Sequence, residues 1–264
     1  MLDRVKVYPG DAVRAGIVVN PAKPRSVRSH AHRGEHRTVP RRQSRYTPEE
    51  IAADVGREDF SAELWNTDLG DVDRRLLTSA VRCFAANGYH ATTTRDIAAG
   101  VGLSPAALYV HFPSKELVLF EIMWAGHQAV LACVKDPAIG AAAGAADRLA
   151  AMVRAYTAWH ARHHVAARVG QYELAGLTPE HYDEIIQIRH LTNAVFRDAV
   201  ERGIAEGVFA PADVNRLVRA MLSLSIDLIR WYRLDGPDSP EQLGDFYAGL
   251  VLKMVMDKDA DPNR

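Results

Sequence analysis

Cysteine is nearly absent. Cys83 and Cys133 are the only two in 264 residues, too few for a disulfide framework or a four-thiolate zinc site, so a reduced cytosolic compartment is the default expectation. Long apolar runs are lacking too. No stretch approaches the roughly 18 consecutive apolar residues of a membrane span, and the first residues show no apolar core followed by a small-residue cleavage site, so neither a membrane span nor a secretory leader is expected. Alternating β-branched stretches that would make strands are missing, as is any repeat of fixed period. Enzyme signatures are likewise absent: Gly-x-Ser-x-Gly, a phosphate-cradling Gly-rich loop, a Cys/His nucleophile pattern and the Glu-x-x-His pairs of a di-iron bundle. Neither an enzyme nor a cofactor nor a metal site is therefore expected.

What is present is a charge asymmetry hidden by a net charge of −1. Residues 1–45 carry eleven Lys or Arg against Asp3, Asp11 and Glu35, a balance of +8 that leaves the remainder at −9. A basic arm ahead of a mildly acidic body points to an acidic polymer as partner, most simply nucleic acid. With Pro9, Pro21, Pro24 and Pro40 and no hydrophobic period, the arm reads as disordered. A start codon placed too far upstream in a GC-rich genome would yield the same composition, and both readings stand here. Residues 46–70 read as a short helical linker. Thr47-Pro48-Glu49-Glu50 supplies a cap and a first turn, and Ile51, Val55 and Leu64 are placed to dock on the body.

From Asp71 the pattern takes a helical period, and the fold class is all-α. Leu76, Leu77, Ala80, Val81 and Phe84 define a first helix stopped by Asn87-Gly88. Thr93-Thr94 cap a second, Arg95 to Ala99. Ser104-Pro105 open a third running to about His111, and Pro113-Ser114-Lys115-Glu116 start a long fourth. Further helices are expected at 144–163, 165–175, 179–206, 211–233 and 239–257, with breaks at Gly176, Gly207, Pro211 and Gly236-Pro237.

The stretch Thr93-Thr94-Arg95-Asp96-Ile97-Ala98-Ala99-Gly100-Val101-Gly102-Leu103-Ser104-Pro105-Ala106-Ala107-Leu108-Tyr109-Val110-His111-Phe112 joins two short helices by a Gly-containing turn, the pattern of a helix-turn-helix. Ile97 and Ala98 face inward, Gly100 and Gly102 permit the turn, and Leu103 and Leu108 pack the second helix back. Ser104, Pro105, Ala106, Ala107 and Tyr109 are left facing outward, small enough at the N-terminus for close approach to a major groove. Together with Cys83-Phe84-Ala85-Ala86-Asn87-Gly88-Tyr89 and Leu108-Tyr109-Val110-His111-Phe112-Pro113-Ser114-Lys115-Glu116-Leu117, this region, from about Arg74 to Leu117, resembles the N-terminal domain of the TetR family of bacterial transcriptional regulators. The resemblance implies that residues 93–112 read operator DNA. Thr93 and Thr94 then sit at phosphate positions with Arg95 beside them, Tyr109 and His111 lie on or beside the recognition helix, and Lys115 contacts a backbone phosphate. One departure is Gly100-Val101-Gly102-Leu103 in place of the commoner Ala-Ala-Gly-Val turn.

The same resemblance implies an effector-binding and dimer-forming C-terminal region. The domains expected are thus 71–117 for DNA, 118–258 for ligand and dimer, and a tail at 259–264. Leu217, Met221, Leu224, Leu228 and Trp231 form one stripe; Leu243, Phe246, Tyr247, Leu250, Val251 and Met254 form another. Two such helices per subunit would make a four-helix homodimer interface. Candidate pocket residues are Trp124, His127, Tyr156, Trp159, His160, Gln171, Tyr172, Ile188, Leu191, Asp227, Arg230 and Trp231. Asp227, within an apolar string, is expected to be buried and to need Arg230 or a ligand as partner. The segment Ile229–Arg233 with Gly236-Pro237 is similar to family members that sense acyl-coenzyme A thioesters and control lipid or sterol breakdown. Arg230 or Arg233 would then bind the phosphates, and Trp124, Tyr156 and Trp159 would line the acyl chain. Three alternatives stay open: a repressor of an efflux gene answering a hydrophobic compound without CoA, a metal sensor built on His160, His163 and His164, and a helical-bundle enzyme.

Overall fold

The computed structural model describes residues 64–65, 69–211 and 213–256. The basic arm 1–45, the expected docking residues Ile51 and Val55, and the tail 259–264 lie outside the described residues. Leu64 and Trp65 of the linker are buried, and the Trp65 indole N–H donates to Thr78 Oγ1 at 3.0 Å.

Helices are the regular structure of the described residues, with no strand among them. Helix α1 (Asp71–Asn87) begins with Asp71 and Asp73, favourable at a helix N-terminus, and ends at Gly88. It buries Leu76, Leu77, Ala80, Val81 and Phe84. Then follow α2 (Thr94–Ala99), α3 (Pro105–His111) and the long α4 (Lys115–Val134). Ser114 caps α4, its hydroxyl accepting from the Leu117 N–H at 3.0 Å. One short turn, α5 (Pro137–Gly140), leads to α6 (Ala145–Arg162), α7 (His164–Tyr172) and a 3-10 turn at Leu174–Gly176. The 27-residue α8 (Pro179–Ala205), α9 (Val214–Asp227), a second 3-10 turn (Leu228–Arg230) and α10 (Pro240–Met256) complete the order.

The helix expected over 211–233 is shorter than its hydrophobic pattern. Asp213 caps it by accepting from the Arg216 N–H at 2.9 Å. At the far end the chain tightens into the second 3-10 turn, which delivers Leu228, Ile229 and Tyr232 into a small core with Ala161 and Leu243.

Helix α4 is central, touching α1, α6, α7 and α8. Every residue from Val118 to Trp124 is buried. With α5 it is long and apolar enough by length and composition to cross a membrane, at a mean hydropathy of 1.6, although Gly126, His127 and Gln128 interrupt any strict apolar run. Half of that apolar window is buried against its neighbours, as suits the middle helix of a bundle.

Candidate functional site

The turn between α2 and α3 is built by two glycines with different jobs. Gly102 adopts φ +73°, a left-handed conformation that favours glycine. Gly100, expected to share that role, has an ordinary helical φ of −59°. Its need is space: a Cβ there would stand 2.2 Å from Ser79 Oγ, which itself donates to the Ile97 carbonyl at 2.8 Å. The close approach of α1 to α2 forbids a side chain at Gly100. Arg75 also holds the turn, donating to the Val101 carbonyl at 2.9 Å.

Thr93 caps α2 in a reciprocal box. Its Oγ1 accepts from the Asp96 N–H at 3.2 Å and donates to Asp96 Oδ2 at 2.7 Å, and that carboxylate accepts the Thr93 N–H at 2.8 Å. These bonds hold the Asp96 carboxyl below the usual carboxylate range. Thr94 Oγ1 lies 3.4 Å from the Tyr109 hydroxyl, linking α2 to α3. Ser104 caps α3, accepting from the Ala107 N–H at 3.2 Å, with Pro105 in its first turn. Leu108 is wholly buried beneath, whereas Tyr109 is 51% and Val110 78% exposed. Arg95, Ser104 and Ala106 are exposed as well, and Pro105 and Ala107 are half-buried.

Two residues expected at DNA are engaged inside the protein. His111 Nδ1 lies 2.6 Å from Asp73 Oδ1, tying the end of α3 to α1. The Lys115 ammonium donates to the Tyr89 and Thr92 carbonyls at 2.8 and 2.7 Å and lies 4.3 Å over the Tyr89 ring. It clamps the loop that leads into α2, because that loop's carbonyls have no helical partners of their own.

In the body, a cavity of about 590 Å³ opens among α4, α6, α7, α8 and α9. Ile122, Met123, Val130, Val218, Leu222 and Ile226 make it apolar; Tyr156, His160, Gln171, Thr192 and Asn193 add hydrogen-bonding groups. Three arginines, Arg189, Arg197 and Arg219, line it, and no Asp or Glu does among the described residues. Arg197 and Arg219 are exposed. Arg189 is half-buried: its Nε donates to His127 Nε2 at 2.9 Å and its Nη2 to the Gly170 carbonyl at 3.0 Å. Burial lowers the Arg189 pKa. The His127 Nδ1–H donates to the Met123 carbonyl at 2.6 Å, so Nε2 keeps the lone pair that Arg189 requires. Burial first, then the Arg189 charge, pushes His127 down to about 3. His160, with Nδ1 at 2.8 Å from the Tyr156 carbonyl, is pushed down by burial to about 4. Burial raises the Tyr156 phenol above its ordinary value. Both imidazoles are neutral near pH 7.

Of the residues expected at a pocket, His127, Tyr156, Trp159, His160 and Gln171 line this cavity. The others lie elsewhere. Trp124 is buried beside Phe120, ring centroids 5.8 Å apart, and Ile188 is buried off the cavity. Tyr172, Leu191 and Trp231 are exposed. Asp227 is not buried: it pairs with Arg230 at 3.1 Å on the surface, both side chains more than half exposed. Arg233, the other expected phosphate ligand, pairs with Asp235 at 3.1 Å. His164 Nδ1 lies 3.2 Å from the Ala161 carbonyl, so it and His160 each turn one ring nitrogen to backbone.

The arginines escaped the sequence reading, though a signal exists. Arg189, Asn193 and Arg197 recur every four residues on α8, as do Asn215, Arg219 and Ser223 on α9, so each set lies along one helix face. Such acid-free polar stripes, facing each other, mark the cavity better than aromatics do.

A short, capped helix displayed over a buried leucine, on a helix-turn-helix frame, defines a DNA-binding regulator. Residues 76–122 match the model described as bacterial regulatory proteins, tetR family, and residues 142–255 that described as tetracyclin repressor-like, C-terminal domain. The chain is 32% identical over 188 residues to the HTH-type transcriptional repressor KstR2 of Mycobacterium tuberculosis, covering 69% of this chain and 94% of that protein. It superposes on a tetR-family regulatory protein from Rhodococcus RHA1 with a TM-score of 0.66 at 40% identity, over 71% of this chain and 98% of that one. It is also similar to AibR, solved in complex with isovaleryl coenzyme A and operator DNA, with a TM-score of 0.61 at 26% identity over 70% and 97% of the two chains. The chain belongs to the TetR family of bacterial transcriptional regulators. It is a transcriptional repressor that binds operator DNA, and not an enzyme.

Proposed function

We propose that this repressor leaves its operator when an acidic amphipathic effector, an acyl-CoA thioester, enters the cavity. The observation that carries this reading is the lining: apolar walls with three arginines and no acid among the described residues. An acyl chain matches the walls. The CoA phosphates match Arg197 and Arg219, exposed cations with no ion-pair partner among the described residues. AibR, crystallised with isovaleryl coenzyme A and operator DNA, is a related chain that binds both kinds of partner.

Residues 71–117 are the DNA-reading unit in this proposal, through Thr94, Arg95, Ser104, Ala106 and Tyr109, and residues 118–258 hold effector and dimer contacts. The second copy docks on α9, α10 and the turn between them. Leu224, Trp231, Phe246 and Met254 there are large apolar residues left 36–61% exposed, an unsupported face for a lone chain. A homodimer also sets the spacing of paired recognition helices on DNA. The test is titration of the repressor–operator complex with acyl-CoAs and the matching free acids. Release by thioesters is expected; release by no thioester overturns the acyl-CoA assignment. Phe246→Glu is expected to yield monomers by sedimentation, and an intact dimer would move the interface elsewhere.

A further inference from the structure

We infer that Arg189 is the receptor for a carboxylate carried on the buried end of the effector's acyl chain, and that this arginine is also the latch joining the cavity to the DNA-binding head. The inference rests on the effector reading of the cavity given above.

Arg189 differs from the two other arginines of the cavity. Arg197 and Arg219 are exposed, where water solvates their charge. Arg189 is half-buried and bonds to two neutral acceptors, His127 Nε2 and the Gly170 carbonyl. Neither neutralises it, and a cation partly withdrawn from water without a counter-charge is costly. A guanidinium carries several donors in a planar fork, and a carboxylate accepts two of them side by side. The Gly170 carbonyl, in the last turn of α7, gives Arg189 the partial negative charge of a helix C-terminus, so a carboxylate must displace that carbonyl rather than sit beside it. A decanoyl chain ends in a methyl group and leaves Arg189 as it is. A chain ending in carboxylate satisfies it.

The same two bonds tie α8 to α4 and to α7. Helix α7 packs along α1 of the head, and beyond it Gly176 lies so close to the Tyr89 ring that a Cβ would come within 2.7 Å. The Tyr89 and Thr92 carbonyls are those gripped by Lys115, directly before the Thr93 cap of α2. A carboxylate that takes Arg189 competes with the Gly170 carbonyl, so it binds best to a state in which α7 is released. Only such differential affinity lets a ligand shift the head.

The probes are decanoyl-CoA and decanedioyl-CoA, identical but for the terminal carboxylate, with binding followed by calorimetry and operator release by anisotropy. Wild type is expected to bind decanedioyl-CoA about tenfold more tightly than decanoyl-CoA, one charge-assisted pair's worth. Arg189→Met is expected to erase that preference and, without any thioester, to hold operator about tenfold more weakly. Should Arg189→Met fail to fold, Arg189→Gln, uncharged but still a donor, takes its place. Equal binding of both thioesters by wild type overturns the inference and leaves the effector reading standing. A preference that survives in Arg189→Met but disappears in Arg197→Gln or Arg219→Gln places the anion at the mouth and also overturns it. Wild-type operator affinity in Arg189→Met overturns the latch. Binding of neither thioester brings down both readings.

Discussion

The head and the body of this repressor build their sites by opposite means. In the head, the surface proposed to read DNA comes from residues 93–117, whose caps and turns close over three positions: Thr93 with Asp96, Ser104 with Ala107, Ser114 with Leu117. In the body, the cavity is assembled from five helices, and the partners of Arg189 lie 62 and 19 residues away in sequence. A local site tolerates changes elsewhere but is destroyed by one exposed side chain. A distributed site is buffered against single losses, yet couples whatever occupies it to several helices at once.

The most severe test of this contrast is Tyr109→Ala. The ring is 51% exposed and supports no core, so operator affinity is expected to fall by about a hundredfold or more while helicity and oligomeric state are kept. Gel shifts with circular dichroism check this; undiminished affinity would move DNA reading off α3.

Glu121→Gln comes next. Glu121 is buried in α4 with Oε1 unbonded, and burial, reinforced by Asp73 and opposed by His181, raises its carboxyl to about 7 from 4.5. A carboxyl whose folded pKa is raised contributes stability below pH 4.5 that is lost as the pH climbs to about 7. Gln, which does not titrate, is therefore expected to match wild type near pH 4.5 and to exceed it by about 3 kcal/mol at pH 8. His127 and His160 act in the opposite sense. Their folded pKa values, about 3 and about 4, lie below 6.5, so their contribution is complete above pH 6.5 and lost on acidification. Denaturation of both proteins across the pH range isolates the Glu121 part, and a difference that does not grow with pH would refute the buried acid.

Lys115→Met separates clamp from phosphate contact. Losing two charge-assisted bonds is expected to destabilise the protein by about 2 kcal/mol and to leave the salt dependence of operator binding unchanged. A phosphate contact would instead reduce the log–log slope by about 0.9. The smallest effect is expected for Arg230→Ala, since an exposed pair three residues apart is worth about half a kcal/mol or less. Neither stability nor effector response should change measurably; a clear loss of response would return Arg230 to the effector site.

The head was legible because its determinants are local. Thr93, Ser104 and Ser114 announce helix starts by residue type, and Leu108 against Tyr109 divides inside from outside within two positions. Fold class follows in the same way from the 3.6-residue period. What sequence could not resolve depended on neighbours far along the chain. Trp124, Ile188 and Leu191 have the composition of pocket residues, but whether they face a cavity, the core or the surface is set by how α4 and α8 are rotated against α6, α7 and α9. Asp227 sits in an apolar string that suggested burial, yet as the last residue of α9 it stands outside, paired with Arg230 of the following 3-10 turn. Lys115 has the residue type for DNA, but the approach of Tyr89 and Thr92 claims its ammonium first. Sequence by itself determined the helices, their caps and the recognition turn, because those energies are settled within one or two turns of chain. Only the tertiary structure decided which arginines share an acid-free cavity, because charge and burial depend on what packs across the bundle.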